Sequence, residues 1–350
     1  MSNSIPKEPR IYRAQERARG ILMAYKITAL PVDVKSIIKA HPKCCIKRYS
    51  KLIEKHKDKL QLADLIEKFG QDGAAIYEKD RKKVYTIIYN DFCSSTNRIR
   101  WTLAHELGHI VLNHHSDFEE TRLSRGGLSE AAYRVLDAEA DAFAAELLAP
   151  TIVLIAAGWT SKTDIQMHCL LSSAASKNRS KNILGIQKVK ARYFAYERSV
   201  LKAFYNHIFL NFCPECKTYF VSKEAKNCPI CGSGSLMWKQ GDVNIMKYPG
   251  IEVDENSKAQ ICPKCGNEEI FPDGKFCMIC GEDIINYCEG TTDSYGNYYE
   301  KPCGKLLPGN ARYCPYCGAE SHYFNQGFLE PWNNDTTNDT SVQFDEEIPF

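Results

Sequence analysis

The chain has 350 residues, a quarter of them charged, and a formal net charge of only +2. That length allows two or three modules at about 100–200 residues each. The N-terminus, M-S-N-S-I-P-K-E-P-R, lacks the apolar core of a signal peptide, and no run approaches the roughly 18 apolar residues of a membrane-spanning helix, so the chain reads as a cytoplasmic protein with no membrane contact.

In chain order, residues 11–28 read as a helix. "LPVDVKSIIKAH" begins a second one behind Pro31, with Val34, Ile37 and Ile38 as its apolar stripe. The Lys-rich segment 45–69 is mixed. "AAIYEKDRKKVYTIIYN" reads as two strands around a polar turn at Lys79–Lys83, a small antiparallel sheet. A helix follows over Asn97–Leu112, then a polar loop with Gly126 and Gly127, then a long helix from Ser129 to Ala149 stopped by Pro150. Residues 163–185 predict two short helices. Their Ser172-Ser-Ala-Ala-x-x-x-Arg pattern faintly resembles a helix-turn-helix, but two helices closing the core is the favoured reading. After Phe204 the texture changes to short segments punctuated by C-x-x-C, and from Pro331 the tail is polar, acidic and expected to be flexible.

The 97–112 helix carries W-T-L-A-H-E-L-G-H, and H-E-x-x-H on a helix can bind zinc and hold a general base. At about 100° per residue, Leu103, Leu107, Ile110 and Val111 form one apolar face. His105 and His109 stack on the other side with Glu106 beside them. Gly108 costs the helix about 1 kcal/mol against Ala, which makes sense if another backbone approaches there. One protein ligand is left to find. His115, six residues after His109, lies at a metzincin-like spacing, but Leu112 stands where that pattern needs a helix-breaking Gly. If the helix continues, His115 points away, and His114 and His115 are polar residues at its C-terminus. The next helix offers carboxylates beside its buried stripe of Leu136, Ala140, Phe143 and Leu147. Glu139 flanks the stripe, and Glu146 reads as a solvated helix charge.

H-E-L-G-H followed by E-A-D-A-F-A-A-E-L-L-A-P resembles the ImmA/IrrE family of zinc metallopeptidases, whose second motif is typically E-A-N-x-F-A-A-x-L-L-x-P. Asp141 stands where the family usually has Asn. The resemblance extends over residues 11–200 and implies an α+β, zincin-like peptidase fold with Glu139 as the third ligand beside His105 and His109. It further implies one catalytic zinc, Glu106 as general base and proton shuttle, and a regulatory protein substrate such as a transcriptional repressor. A strand around Tyr85–Tyr89 is a candidate edge for an extended peptide. Tyr89 and Tyr133 are candidates for the oxyanion-stabilising group.

Twelve of the sixteen cysteines fall between Cys213 and Cys317. Without an export signal, paired C-x-x-C groups read as zinc ligands rather than disulfides. Cys213, Cys216, Cys228 and Cys231 form one zinc ribbon, and Cys262, Cys265, Cys277 and Cys280 a second. Cys288, Cys303, Cys314 and Cys317 form an irregular third, with an insertion in its first knuckle. Up to three structural zinc ions are therefore expected. The remaining Cys44, Cys45, Cys93 and Cys169 are ordinary thiols.

The expected domains are the peptidase at 1–157, a helical closing segment at 158–204, ribbons at 205–240, 258–284 and 285–322, and a tail at 323–350. Residues 1–60 carry 15 Lys/Arg against 5 Asp/Glu, whereas residues 201–350 carry 12 against 21. Phosphate recognition needs a basic surface, so the ribbons are expected to bind protein, and any nucleic-acid contact would fall on the basic head or the helices near 163–185. The alternative reading is an adaptor or DNA-binding regulator that keeps the peptidase fold as a scaffold.

Overall fold

The structure, a computed structural model, describes residues 6–56, 59–78, 84–117, 129–187, 195–238 and 245–333. The expected turn at Lys79–Lys83, the Gly126-Gly127 loop and the tail beyond residue 333 lie outside these. The chain forms two compact units, 1–208 and 209–349.

The first unit runs α1 (Ile11–Ala24), α2 (Val34–Ala40), β1 (Cys44–Arg48), α3 (Tyr49–Lys55), α4 (Leu62–Phe69), β2 (Gly73–Tyr77), β3 (Tyr85–Tyr89), α5 (Thr96–Val111) and α6 (His114–Asp117). It continues with α7 (Glu130–Leu148), α8 (Thr151–Ala157), α9 (Lys162–Cys169), α10 (Ser173–Gln187), α11 (Ala195–Ala203) and α12 (Tyr205–Ile208). Local chemistry sets several starts. Asp33, Ser95 and Ser129 each accept a hydrogen bond from the backbone N–H three residues on, and Ser161 with Asp164 makes a capping box.

The sheet order is β1-β3-β2, with β2 antiparallel and β1 parallel to β3. The sheet is thus mixed rather than antiparallel throughout. A parallel partner needs a long crossover, here supplied by α3 and α4, and segment-by-segment reading does not reveal it. β3 is buried at all five residues, as its unbroken Y-T-I-I-Y requires. Both its edges are occupied, so it cannot receive a peptide strand. The outer edge of β2 takes over that possibility.

Leu103, Leu107 and Ile110 of α5 and Leu136, Ala140, Phe143 and Leu147 of α7 are buried. The helices meet at Gly108, where an added Cβ would lie 3.0 Å from Phe143 Cδ1 and 3.2 Å from Ala140 Cα. α5 then stops: Asn113 turns left-handed at φ 62° and α6 starts at His114. His114 and His115 are consequently buried instead of decorating an exposed helix end. The stretch Glu130–Ala157 is long and apolar enough in composition to cross a membrane, yet most of it is buried inside the unit.

Glu146 departs from the sequence reading. Rather than being solvated, it is fully buried and holds Arg19 Nε at 2.9 Å, Arg179 Nη2 at 2.5 Å and Thr151 Oγ1 at 2.6 Å. Arg179, the Arg of the helix-turn-helix-like pattern, also donates to Ala149 O, so it closes the core from α10.

The second unit contains the hairpin β4 (Leu210–Phe212)–β5 (Tyr219–Val221), the hairpin β6 (Thr291–Thr292)–β7 (Tyr298–Glu300) and α13 (His322–Asn325). Its buried clusters are built around cysteines, such as Cys213, Cys216 and Cys228 with Ile230, or Cys288 and Cys314 with Leu307. Cores this small rely on metal for folding energy. β6–β7 lies between Cys288 and Cys303, within the third knuckle's long spacer.

Glu146→Ala should destabilise the first unit by about 3–5 kcal/mol, because buried Arg179 would lose its carboxylate partner and buried Arg19 would keep only Glu197. The midpoint of urea unfolding reads this directly. Burial pushes the Glu146 pKa up, but the two arginines and Thr151 outweigh it and hold it low. Its stabilisation is therefore full above the ordinary value of 4.5 and is lost as pH falls below it.

Candidate metal centre

α5 and α7 face each other with titratable residues at matching spacing: His105 and His109 on one, Asp137 and Asp141 on the other. His105 Nε2 lies 3.1 Å from His109 Nε2 and 3.1 Å from Asp137 Oδ1, and His109 Nε2 lies 3.9 Å from the same oxygen. These three side chains offer ligand atoms that converge closely enough to hold one ion. Two imidazoles and one carboxylate are a donor set suited to a divalent transition metal, and three protein ligands leave a position open.

Glu139 is not the carboxylate that joins the histidines. Its side chain is fully buried on another face of α7, where Oε1 accepts from Arg10 Nε at 2.7 Å and from Arg10 N at 2.8 Å. Its Oε2 faces His114 Nε2 at 3.1 Å. Burial alone would raise the Glu139 pKa, but the hydrogen bonds of His114 and Arg10 hold it down at about 2. The reason for the difference is angular: residues 137 and 139 sit about 200° apart on a helix, so only one can face α5. Asp137 went unrecognised in the sequence, although it and Asp141 are four apart, just as His105 and His109 are. Two such pairs on facing helices were the available signal.

Asp141 gains a role. Its Oδ1 lies 2.8 Å from His105 Nδ1, the carboxylate–histidine pairing that fixes a ligand ring and aims its Nε2 at the centre. The usual Asn would offer a neutral acceptor at the same place. Burial lowers the His105 pKa, but Asp137 and Asp141 overcome this and push it up to about 10. The centre is thus built to surround one positive charge, and a metal ion entering it displaces a proton. His109 goes the other way: burial and the neighbouring imidazoles lower its pKa well below the ordinary value.

Glu106 reaches away from this cluster to β2, where its Oε2 accepts from Ala75 N at 2.7 Å. Burial raises its pKa above the ordinary carboxyl value, against the pull of His105 and the Ala75 N–H. Of the two tyrosine candidates, Tyr133 lies near Asp137 at the centre, and burial together with that carboxylate pushes its pKa up. Tyr89 is buried in β3 beneath Lys35. His115 packs by the Tyr85 ring at 6.0 Å and contributes nothing to the convergent set.

In the second unit each expected group of four cysteines comes together: Cys213, Cys216, Cys228 and Cys231; Cys262, Cys265, Cys277 and Cys280; Cys288, Cys303, Cys314 and Cys317. Paired sulfurs lie 3.4–3.6 Å apart. That is far beyond a disulfide bond and close to the roughly 3.7 Å edge of a tetrahedron with 2.3 Å metal–sulfur bonds. Gly232, Gly266, Gly281 and Gly318 each turn left-handed just after a C-x-x-C, and such a turn favours glycine.

A two-histidine, one-aspartate centre on the facing helices of a mixed α/β unit is consistent with the metallopeptidase-like domain that the family match supports. Residues 58–179, from ahead of β2 to within α10, match the Peptidase M78 family, described as the IrrE N-terminal-like domain. The three four-cysteine clusters fit zinc-ribbon modules. No curated protein matches the chain.

Asp137→Ala should lower the metal content by about one ion per chain. Glu139→Ala should retain that ion when metal is supplied in excess. Elemental analysis of both variants beside the wild type checks the assignment.

Proposed function

We propose that the first unit is a metal-dependent endopeptidase and that His105, His109 and Asp137 hold its ion, with zinc the expected metal. The observation that carries this reading is the convergence of those three side chains with the H-E-x-x-H glutamate on the same helix. When bound, a divalent ion supplies Lewis-acid activation of water and of a scissile carbonyl. Glu106 takes the proton from the attacking water and returns it to the leaving amine; its raised pKa brings it closer to the operating range of a general base. Tyr133, close to Asp137, is the candidate donor to the developing oxyanion.

Two features support a polypeptide substrate. Glu78 N donates to Val84 O and Asn90 N donates to Asp72 O, so in this antiparallel pair Gly73, Ala75 and Tyr77 direct their backbone groups away from β3. A peptide laid on that edge would meet Glu106 at Ala75. Beyond Asp141, a groove of about 1230 Å³ runs past Trp101, Ala142 and Asn178, which is room for several side chains.

The substrate we propose is a cytoplasmic regulatory protein, a repressor being the type case, with the ribbons recognising a protein. Phe271, Phe276, Met278 and Ile279 stand more than half exposed around the second cysteine cluster, an apolar patch of the kind that marks protein contacts. The acidic balance of this half opposes phosphate binding.

Glu106→Gln should keep the bound ion and lower peptide cleavage by about 10²–10⁴-fold. Full activity in that variant, tested on a peptide library with mass-spectrometric readout, would remove Glu106 from the mechanism.

A further inference from the structure

His109 faces a second imidazole on the side away from the convergent ligands. Its Nδ1 lies 2.9 Å from His114 Nδ1, and His114 Nε2 lies 3.1 Å from Glu139 Oε2. Glu139 is clamped in turn by the Arg10 side chain and by the Arg10 backbone N–H. Four residues from α5, α6, α7 and the start of α1 thus form one line, with His114 and Glu139 fully buried.

The hydrogens along this line follow from its far end. A carboxylate held by Arg10 can only accept, so His114 donates from Nε2. With its hydrogen on Nε2, His114 turns Nδ1 toward His109 as the acceptor. Two nitrogens 2.9 Å apart share one hydrogen, so His109 must donate from Nδ1. Its Nε2 is then bare, pointing at His105 Nε2 and Asp137 Oδ1.

We propose that His114, backed by Glu139 and Arg10, is a positioning residue that locks His109 in the tautomer able to ligate metal through Nε2. This rests on reading His105, His109 and Asp137 as the metal centre. Asp141 does the same for His105 with one carboxylate.

The test uses the full chain and two readouts. Histidine ring NMR of the protein with its four-cysteine groups loaded and this centre empty reports which His109 nitrogen is protonated. Zinc titration against a chromophoric chelator reports affinity, with the binding step missing from Asp137→Ala defining this centre. His114→Phe, or His114→Leu if the ring is not tolerated, should lose the Nδ1–H form and weaken zinc binding by about 10–100-fold. His114→Gln should restore both, since its amide can accept from His109 and donate to Glu139. Rescue by Gln would not occur if His114 merely filled space. An unchanged tautomer and affinity in the apolar variants, or an Nε2–H His109 in the wild type, would overturn the proposal. A wild type with the Nδ1–H form, lost in the apolar variants, but with no zinc step would leave the relay standing and sink the metal-dependent peptidase reading instead.

Discussion

The centre depends on how closely α5 and α7 approach at Gly108. With a Cβ there, the backbone of Ala140 and the ring of Phe143 would have to retreat by a few tenths of an ångström. Every group at the centre hangs on that separation, because His105, Glu106 and His109 project from one helix and Asp137, Glu139 and Asp141 from the other. Ligand geometry tolerates shifts of only about half an ångström. The glycine costs α5 some helix propensity, and the close approach offsets this by letting short aspartates reach across.

What the sequence discloses follows the range of the interactions involved. Helix starts are written locally in Ser95, Ser129 and Ser161, and the structure places caps at each. Cysteine groupings are likewise legible, because two knuckles of fixed spacing contain their own geometry. The identity of the third convergent residue is different. Choosing between Asp137 and Glu139 requires knowing how far α7 is rolled about its axis, and that roll is set by contacts with α1 as well as α5. The partner that turns Glu139 inward is Arg10, 129 residues away. Glu146 shows the same limit: flanked by alanines it looks solvated, and only Arg19 and Arg179 reveal otherwise. β3 was recognisable as a strand, but its central place was not, since β1 joins it from some forty residues upstream.

Arg10 and Arg19 also change the meaning of the basic head. Both spend their charge on α7, at Glu139 and Glu146, so α1 is fastened along that helix at two points. Arg13 turns toward the same Glu139 and donates to Leu112 O. A charge excess that reads as a surface for an acidic partner is therefore partly internal bonding. It also explains why α1 belongs physically to the unit although the family match begins only at residue 58.

The two units differ in how their candidate metal sites are closed. In each four-cysteine group four sulfurs converge from the chain alone, a set that would fill the coordination of an ion and leave no place for a substrate. The first unit offers three ligand atoms and leaves Glu106, on the same helix as the two histidines, tied to an edge strand rather than to the cluster. A fourth strong protein ligand would close the coordination of an ion held there. Glu139, the residue closest in type to that ligand, is instead turned inward and held by Arg10 and His114. The same buried contact that withholds Glu139 from the metal thus aligns His109 toward it, so an open site and an oriented ligand arise from one arrangement.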